Sequence, residues 1–379
     1  CTALAERLRP PGTRLAELGA ADPALRPRLR QAADELSAPL RRALPLFALL
    51  PAGPFGARAV AALLETDMQV ARETADALVA AQVLETEPAR AGGAAGYRMP
   101  ELLRLLAGEL LAAEVDAEVR RAALNRLCGA AADEAEAAGV FAGEPVEGRH
   151  PLEWFRGRRP ALLALVRQAH AAGLWPATLR LVDAMAGFLE SLAAWEDRSV
   201  CHDLALDAAQ RTGDLAAQAR LLRAMGDLAW QRRRVAVAED LFERALLTAD
   251  AAGADEERVR ALAGLADLRL ESGATDAAAA LAPRPPDAAA PDRRGRFESH
   301  RLRGLLALES DDPDAARAHF VRCLTQATEL ADARLEAYAR RLADLAAPRT
   351  PASASASVPA SAAAWSEIRP GVWRMRATA

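Results

Sequence analysis

The sequence predicts an all-α protein, apart from one small β-hairpin: a compact helical module followed by an α-solenoid of helical hairpins. Three observations predict it. Ala dominates a composition that is 51% hydrophobic but only 4% aromatic, which suits close helix packing and suits sheets poorly. Tyr97-Arg98-Met99-Pro100-Glu101 reads as a short strand turning directly into a helix, with Pro100 at the first helical position, where no N–H is required. Beyond residue 160 the chain repeats, and Leu268–Ala278 aligns with Leu306–Ala316 without a gap, with the Leu, Glu, Ser, Asp and Ala positions in common.

In chain order, residues 1–28 hold two short helices, Thr2 to Leu8 and Leu15 to Leu18, separated by Pro10-Pro11-Gly12. They cannot form a core alone and read as the tail of a helical domain. The chain begins at Cys1 without Met, as a piece of something longer would. Residues 29–114 are denser. Ser37 is placed to cap a helix from Ala38 to Leu50 that Pro45 must kink or split. A short helix spans Gly56 to Leu64, and Asp67 caps the next, Met68 to Ala81. Two strands, Val83–Thr86 and Tyr97–Met99, flank the loop Ala89–Gly96, which completes a winged-helix arrangement. Residues 115–165 form a helical connector, helical from Val119 to Ala138 and irregular over Phe141–Gly157, where Trp154 and Phe155 pin it to neighbours.

The repeats occupy residues 166–345. A period of roughly 40 residues, built from two helices and a Gly/Asp/Pro turn, is tetratricopeptide-like. Looser copies start at Leu228-Ala229-Trp230 and at Gly173-Leu174-Trp175, and the Pro-rich break Ala282–Pro291 must leave one second helix short. Residues 346–379 read as a disordered Ala/Ser/Pro tail ending in a loosely held segment with Trp365 and Trp373.

Composition excludes several functions. All 48 basic residues are Arg, so no lysine exists to complete a G-x-x-x-x-G-K-[ST] phosphate loop. A net charge of −4 and seven Arg against eight Asp/Glu over residues 30–100 argue against DNA binding, and the helix Gly56–Leu64 carries only Arg58. The cysteines Cys1, Cys128, Cys201 and Cys323 contain no C-x-x-C pair. The five histidines, His150, His170, His202, His300 and His319, lie far apart in sequence, and none has metal-ligand spacing to Cys, Asp or Glu. No catalytic motif stands out, and no metal or cofactor site is predicted. Without a signal peptide or a membrane-length apolar run the expected location is the cytoplasm.

Several stretches together resemble the downstream half of bacterial NB-ARC (STAND-class) regulators of the AfsR/SARP-like kind. They are Ala38–Pro51, Ala61–Leu64, Ala77–Leu84, Tyr97–Met99 running into Leu102–Leu105, and Ala205–Asp214 followed by Ala219–Leu222. That resemblance implies a winged helix and a tetratricopeptide-like sensor placed after an NTPase domain that this chain lacks, so ATP or ADP would enter only through such an upstream domain. It also implies a nucleotide-sensing Met-His-Asp-type motif at Met99, Pro100 and Glu101, where Pro100 supplies neither imidazole nor N–H.

The candidate partner-binding residues are Arg220, Arg223, Trp230, Arg232, Arg233 and Arg234, on the first helices of the repeats and in the turn after one of them. Arg156, Arg158 and Arg159 form a second basic cluster, and Glu256-Glu257 reads as a solvated helix face. The expected role is signal transduction, with the repeats binding a protein partner and the winged helix acting as an intramolecular regulatory module. A plain scaffold or adaptor and a DNA-binding transcription factor are the competing readings.

Overall fold

The computed structural model describes residues 11–87, 96–139, 151–283, 292–330, 332–347, 365–369 and 372–375. The expected helix Thr2–Leu8, the loop from Ala89, the segment 140–150, most of the Pro-rich break and the linker Pro351–Ala364 lie outside these residues. The chain forms two compact units, Cys1–Ala208 and Ala209–Ala379. It is mainly α-helical, as the sequence predicts.

The first unit opens with α1 (Pro11–Ala21), α2 (Leu25–Asp34) and α3 (Ala38–Ala43). Pro45 splits the next helix as expected: α3 stops, and Leu44–Leu49 continue as a 3-10 turn. Ser37 stands at the N-cap of α3 without making a side-chain capping bond. Then come α4 (Ala57–Leu64) and α5 (Met68–Ala80). Asp67 caps α5 by accepting from the backbone N–H groups of Gln69 and Val70 at 2.8 and 2.9 Å. Leu44, Phe47, Val60, Leu63, Leu78 and Leu106 fill the core of this module, each 1% exposed or less.

Strands β1 (Glu85–Glu87) and β2 (Gly96–Arg98) pair antiparallel with Thr86 opposite Tyr97. Phe55 adds a single bridge to Tyr97, exchanging both backbone bonds at 2.8 and 2.9 Å. The Tyr97 hydroxyl donates to Asp76 on α5 at 2.9 Å, so the hairpin is tied to the helix that precedes it. The expected start of the following helix is one residue early: Pro100 is its N-cap, and α6 runs Glu101–Glu114.

Next come α7 (Ala117–Ala138), α8 (Pro151–Ala171), α9 (Trp175–Ser191) and α10 (Trp195–Thr212). The expected irregular connector is corrected here, because its described part, Pro151–Gly157, is the first two turns of α8. Pro151 opens the helix, where its missing N–H does no harm. Trp154 and Phe155 are buried, and the Phe155 ring stacks on Phe188 of α9 with centroids 4.7 Å apart. That packing outweighs the helix-breaking tendency of Gly157 and Pro160.

The second unit continues with α11 (Leu215–Gln231), α12 (Val235–Ala252), α13 (Asp255–Glu271), α14 (Thr275–Leu281), α15 (Arg293–Glu309), α16 (Pro313–Glu329) and α17 (Ala333–Leu345). These pack as successive antiparallel pairs. As expected, the helix before the Pro-rich break is short: α14 has 7 residues. Residues at the ends of helices adopt positive φ at positions 173, 193, 213, 233, 253 and 273, evenly spaced along the chain, and again at 311. At each of these positions two backbone bonds close the turn in the same way; in the turn at 213, Gly213 N–H donates to Gln210 and Asp214 N–H to Ala209. This is the Schellman ending, which needs one left-handed residue to turn the chain back. Two such turns make one period of the sequence repeat. Ala278 and Ala316, equivalent in that repeat, are both fully buried.

Glycine and phenylalanine bring the paired helices close. A Cβ on Gly226 or on Gly264 would stand 2.7 Å from the ring of Phe242, and one on Gly304 would overlap the ring of Phe320. Of the expected tail, only the terminal segment is corrected: β3 (Trp365–Arg369) and β4 (Val372–Met375) form an antiparallel hairpin, and β3 lies against α15. Ile368, Val372 and the tryptophans favour strand.

Candidate functional site

Helices α11, α13 and α15 are the first members of successive pairs and lie side by side. Their adjoining faces carry charged residues at helical spacing, which puts them in rows. On α11, Arg223 donates to Asp227 one turn later at 2.8 Å and reaches Glu257 of α13 at 2.8 Å. Glu257 also receives Arg260 at 2.9 Å. On α15, Arg301 makes a bidentate pair with Asp267 of α13 at 2.9 and 2.7 Å and a third bond to Glu298 at 2.6 Å. Arg294 bonds Glu298 from the other side at 2.9 Å.

The network is largely shielded from water; Arg301 and Asp267 are 7% and 8% exposed. Burial by itself favours the neutral forms, and here the neighbours outweigh it. Burial would raise the Glu298 carboxyl, yet Arg301 and Arg294 hold it down at about 2. Burial would lower Arg301, yet Asp267 and Glu298 push it well above its ordinary value. Arg223 is raised in the same manner by Asp227 and Glu257. These three groups stay charged across the physiological range, and the network fixes how one helix pair seats on the next. Glu257, expected on a solvated face, is a buried member of this network at 8% exposure.

The six candidate partner-binding residues fall into two groups. Arg223 is clasped inside the network, and the Arg220 Nε is buried. Trp230 and Arg233 converge on the Glu271 carboxylate at the end of α13, at 2.8 and 3.2 Å. Arg233 and Arg234 are exposed and Arg232 partly so, and the exposed Val235 and Val237 follow them at the start of α12. The turn from Trp230 to Val237 is thus a basic and apolar patch held in place by α13.

In the first unit Met99 is buried, and Glu101 pairs with Arg14 at 2.7 Å and with Arg104 at 2.5 Å. Among the basic cluster there, Arg159 pairs with Asp197. An apolar groove is lined by Leu50, Phe55, Leu127, Trp154 and Leu165, with Glu134 and Arg158 among its polar members. Sequence reasoning missed it, because its walls come from segments far apart along the chain.

The histidines are not all separate in space. His170 bonds Asp207 at 2.7 Å. His300 and His319 meet with their Nδ1 atoms 3.1 Å apart. Their positions on two helices joined by one tight turn were the available signal. Among the described residues no three His, Cys, Asp or Glu side chains are grouped to hold a metal ion. Cys128, Cys201 and Cys323 are buried free thiols, each pushed up to about 12 by burial. No helix among the described residues is long and apolar enough to cross a membrane.

Neither a protein-family model nor a curated protein matches the chain. Among solved structures it is similar to a signal transduction ATPase with numerous domains (STAND) protein with a tetratricopeptide repeat sensor, from Pyrococcus horikoshii, at 13% identity and a TM-score of 0.28. The match covers 83% of this chain and 63% of that protein.

Proposed function

We propose that this chain is the partner-binding, regulatory part of a signalling protein and carries no catalytic centre of its own. The observation that carries this reading is the regular array of helix pairs, with its left-handed turns evenly spaced from position 173 to position 273. Repeat arrays of this kind present extended surfaces for protein segments and build them from rigid, locally packed pairs. The buried ion-pair network supplies the rigidity, and the patch Arg232–Val237 supplies an exposed contact surface. In this reading the helices and hairpin of the first unit act as a winged-helix-like regulatory module that packs within the protein. The sequence resemblance to NB-ARC regulators supports that role, with nucleotide handled by a separate domain.

A photo-crosslinker at position 237, introduced in the native host, tests the assignment. A discrete protein partner should be trapped by the wild-type background and lost when Arg232→Glu and Arg234→Glu are added. Trapping that is unchanged by both charge reversals would remove the patch from the binding surface. A salt-sensitive shift of duplex DNA by the purified chain would favour the DNA-binding reading instead.

A further inference from the structure

The pair His300–His319 stands among arginine side chains, Arg296, Arg303 and Arg322. On α15, Arg296, His300 and Arg303 share one face, and on α16, His319 and Arg322 share another, by their three- and four-residue spacings. The antiparallel packing of α15 on α16 sets these faces together: Arg296 bonds Gln326 at 3.0 Å, and the two imidazoles meet at 3.1 Å. The ring centroids are 5.3 Å apart.

Other arginines along these two helices have partners. Arg301 and Arg294 bond Glu298, Arg293 pairs with Glu329, and Arg317 donates to the Ala346 carbonyl. Arg303 and Arg322 are the exceptions, since neither makes a hydrogen bond or an ion pair among the described residues. The Nε of Arg303 is shut off from solvent with no acceptor. His300 is 9% exposed, His319 and Arg303 are partly exposed, and Arg322 is exposed, so the cluster opens to solvent on one side. Burial, and after it the neighbouring His319 and guanidinium groups, hold His300 near 4, and His319 is lowered by burial and by Arg322 and Arg303. At neutral pH the imidazoles therefore form a neutral hydrogen-bonded pair, while the two guanidinium groups have no carboxylate partner among the described residues.

We propose that His300, His319, Arg303 and Arg322 form a binding site for a phosphate group. The charge and the donors decide the class. A cation is repelled by the arginines. A carboxylate offers two oxygens and one charge, whereas a phosphate dianion matches both guanidinium groups and still has oxygens for an imidazole N–H. Arg presents a planar fork suited to such oxygens. The site would read either free phosphate or a phosphate ester on another molecule, and this assignment is independent of the partner-binding patch.

The test is titration of the full chain at pH 7 and low salt, followed by calorimetry and by the histidine ring resonances. Inorganic phosphate should bind at one site and move the resonances of His300 and His319, leaving His170 unmoved. Arg303→Gln, Arg322→Gln and His319→Gln should each weaken binding about tenfold or more, and Arg340→Gln, remote on α17, should not. A phosphoserine peptide that binds more tightly than phosphate assigns the ligand to a phosphorylated segment, and equal affinity assigns it to free phosphate. Resonances that stay fixed at tens of millimolar phosphate, in a chain whose helical signal shows it folded, overturn the proposal. So does binding that all three substitutions leave unchanged.

Discussion

Gly304 of α15 lies so close to Phe320 of α16 that a Cβ on the glycine would overlap the ring. Phe320 is fully buried and belongs to a core with Leu302, Leu305 and Leu342, so the ring has little room to yield. Gly304→Ala should therefore destabilise the second unit by about 1–3 kcal/mol, the usual cost of overpacking. The added change Phe320→Leu should recover part of that loss. Gly108, in the middle of α6 with nothing within 4 Å of its Cβ position, is the counter-example. Gly108→Ala should stabilise by roughly 0.5–1 kcal/mol through helix propensity. Urea midpoints of the three variants decide between crowding and propensity.

The bidentate pair of Arg301 and Asp267 links α15 to α13 in a nearly water-free setting. Removing Asp267 leaves the buried Arg301 under-compensated, with only Glu298, which it shares with Arg294. Asp267→Leu alone should cost about 3–5 kcal/mol, whereas Asp267→Leu with Arg301→Met should cost far less. Glu298 complicates the double variant, because it keeps Arg294 but loses Arg301. A double-mutant cycle in urea measures the coupling. Additive losses would show that the pair does not act as a unit.

His300 gives the second unit a pH dependence of definite sign. Its folded value, near 4, is depressed from 6.5. Between those values the unfolded chain binds the proton and the folded chain does not, so stability is full above pH 6.5 and falls as pH drops toward 4. The loss should be about 1–3 kcal/mol, reduced by water at the open side of the cluster. His300→Gln should flatten the curve in this window, and a curve as steep as wild type would assign the slope to other groups.

What the sequence revealed follows from which interactions are local. The repeat was legible because Gly, Asp and Pro turns recur, and because Ala278 and Ala316 occupy matching small-residue positions. The hairpin of β1 and β2 was legible from its strand residues and the Gly-rich loop between them. Gly226, Gly264 and Gly304 were not legible as packing residues, since a mid-helix glycine reads as a weakness until the opposing Phe is known. Glu257 looked like one half of a solvated acidic pair, and only Arg223, distant in sequence on another helix, makes it a buried one. Pro151–Gly157 read as a connector because Gly and Pro mark breaks locally, whereas the stack of Phe155 on Phe188 is a tertiary contact.

The left-handed turn residues give the last prediction. Glycine occupies the positions at 173, 213, 253 and 273, but Ala193, Arg233 and Asp311 occupy the equivalent ones with φ of 48°, 59° and 60°. A side chain in this region costs about 1–2 kcal/mol. Glycine removes that strain but loses more freedom on folding, so the net gain is smaller. Ala193→Gly should stabilise by roughly 0.5–1 kcal/mol. Gly253→Ala, with open space at its Cβ position and φ of 62°, should cost a similar amount through the backbone alone. Arg233→Gly should gain less than Ala193→Gly, because it also gives up the exposed Arg233 contact with Glu271 at 3.2 Å, worth at most about 1 kcal/mol. Thermal and urea midpoints rank the three. If Ala193→Gly proved destabilising, backbone strain would not be what separates these turns, and the glycine positions would owe their residue to some other contact.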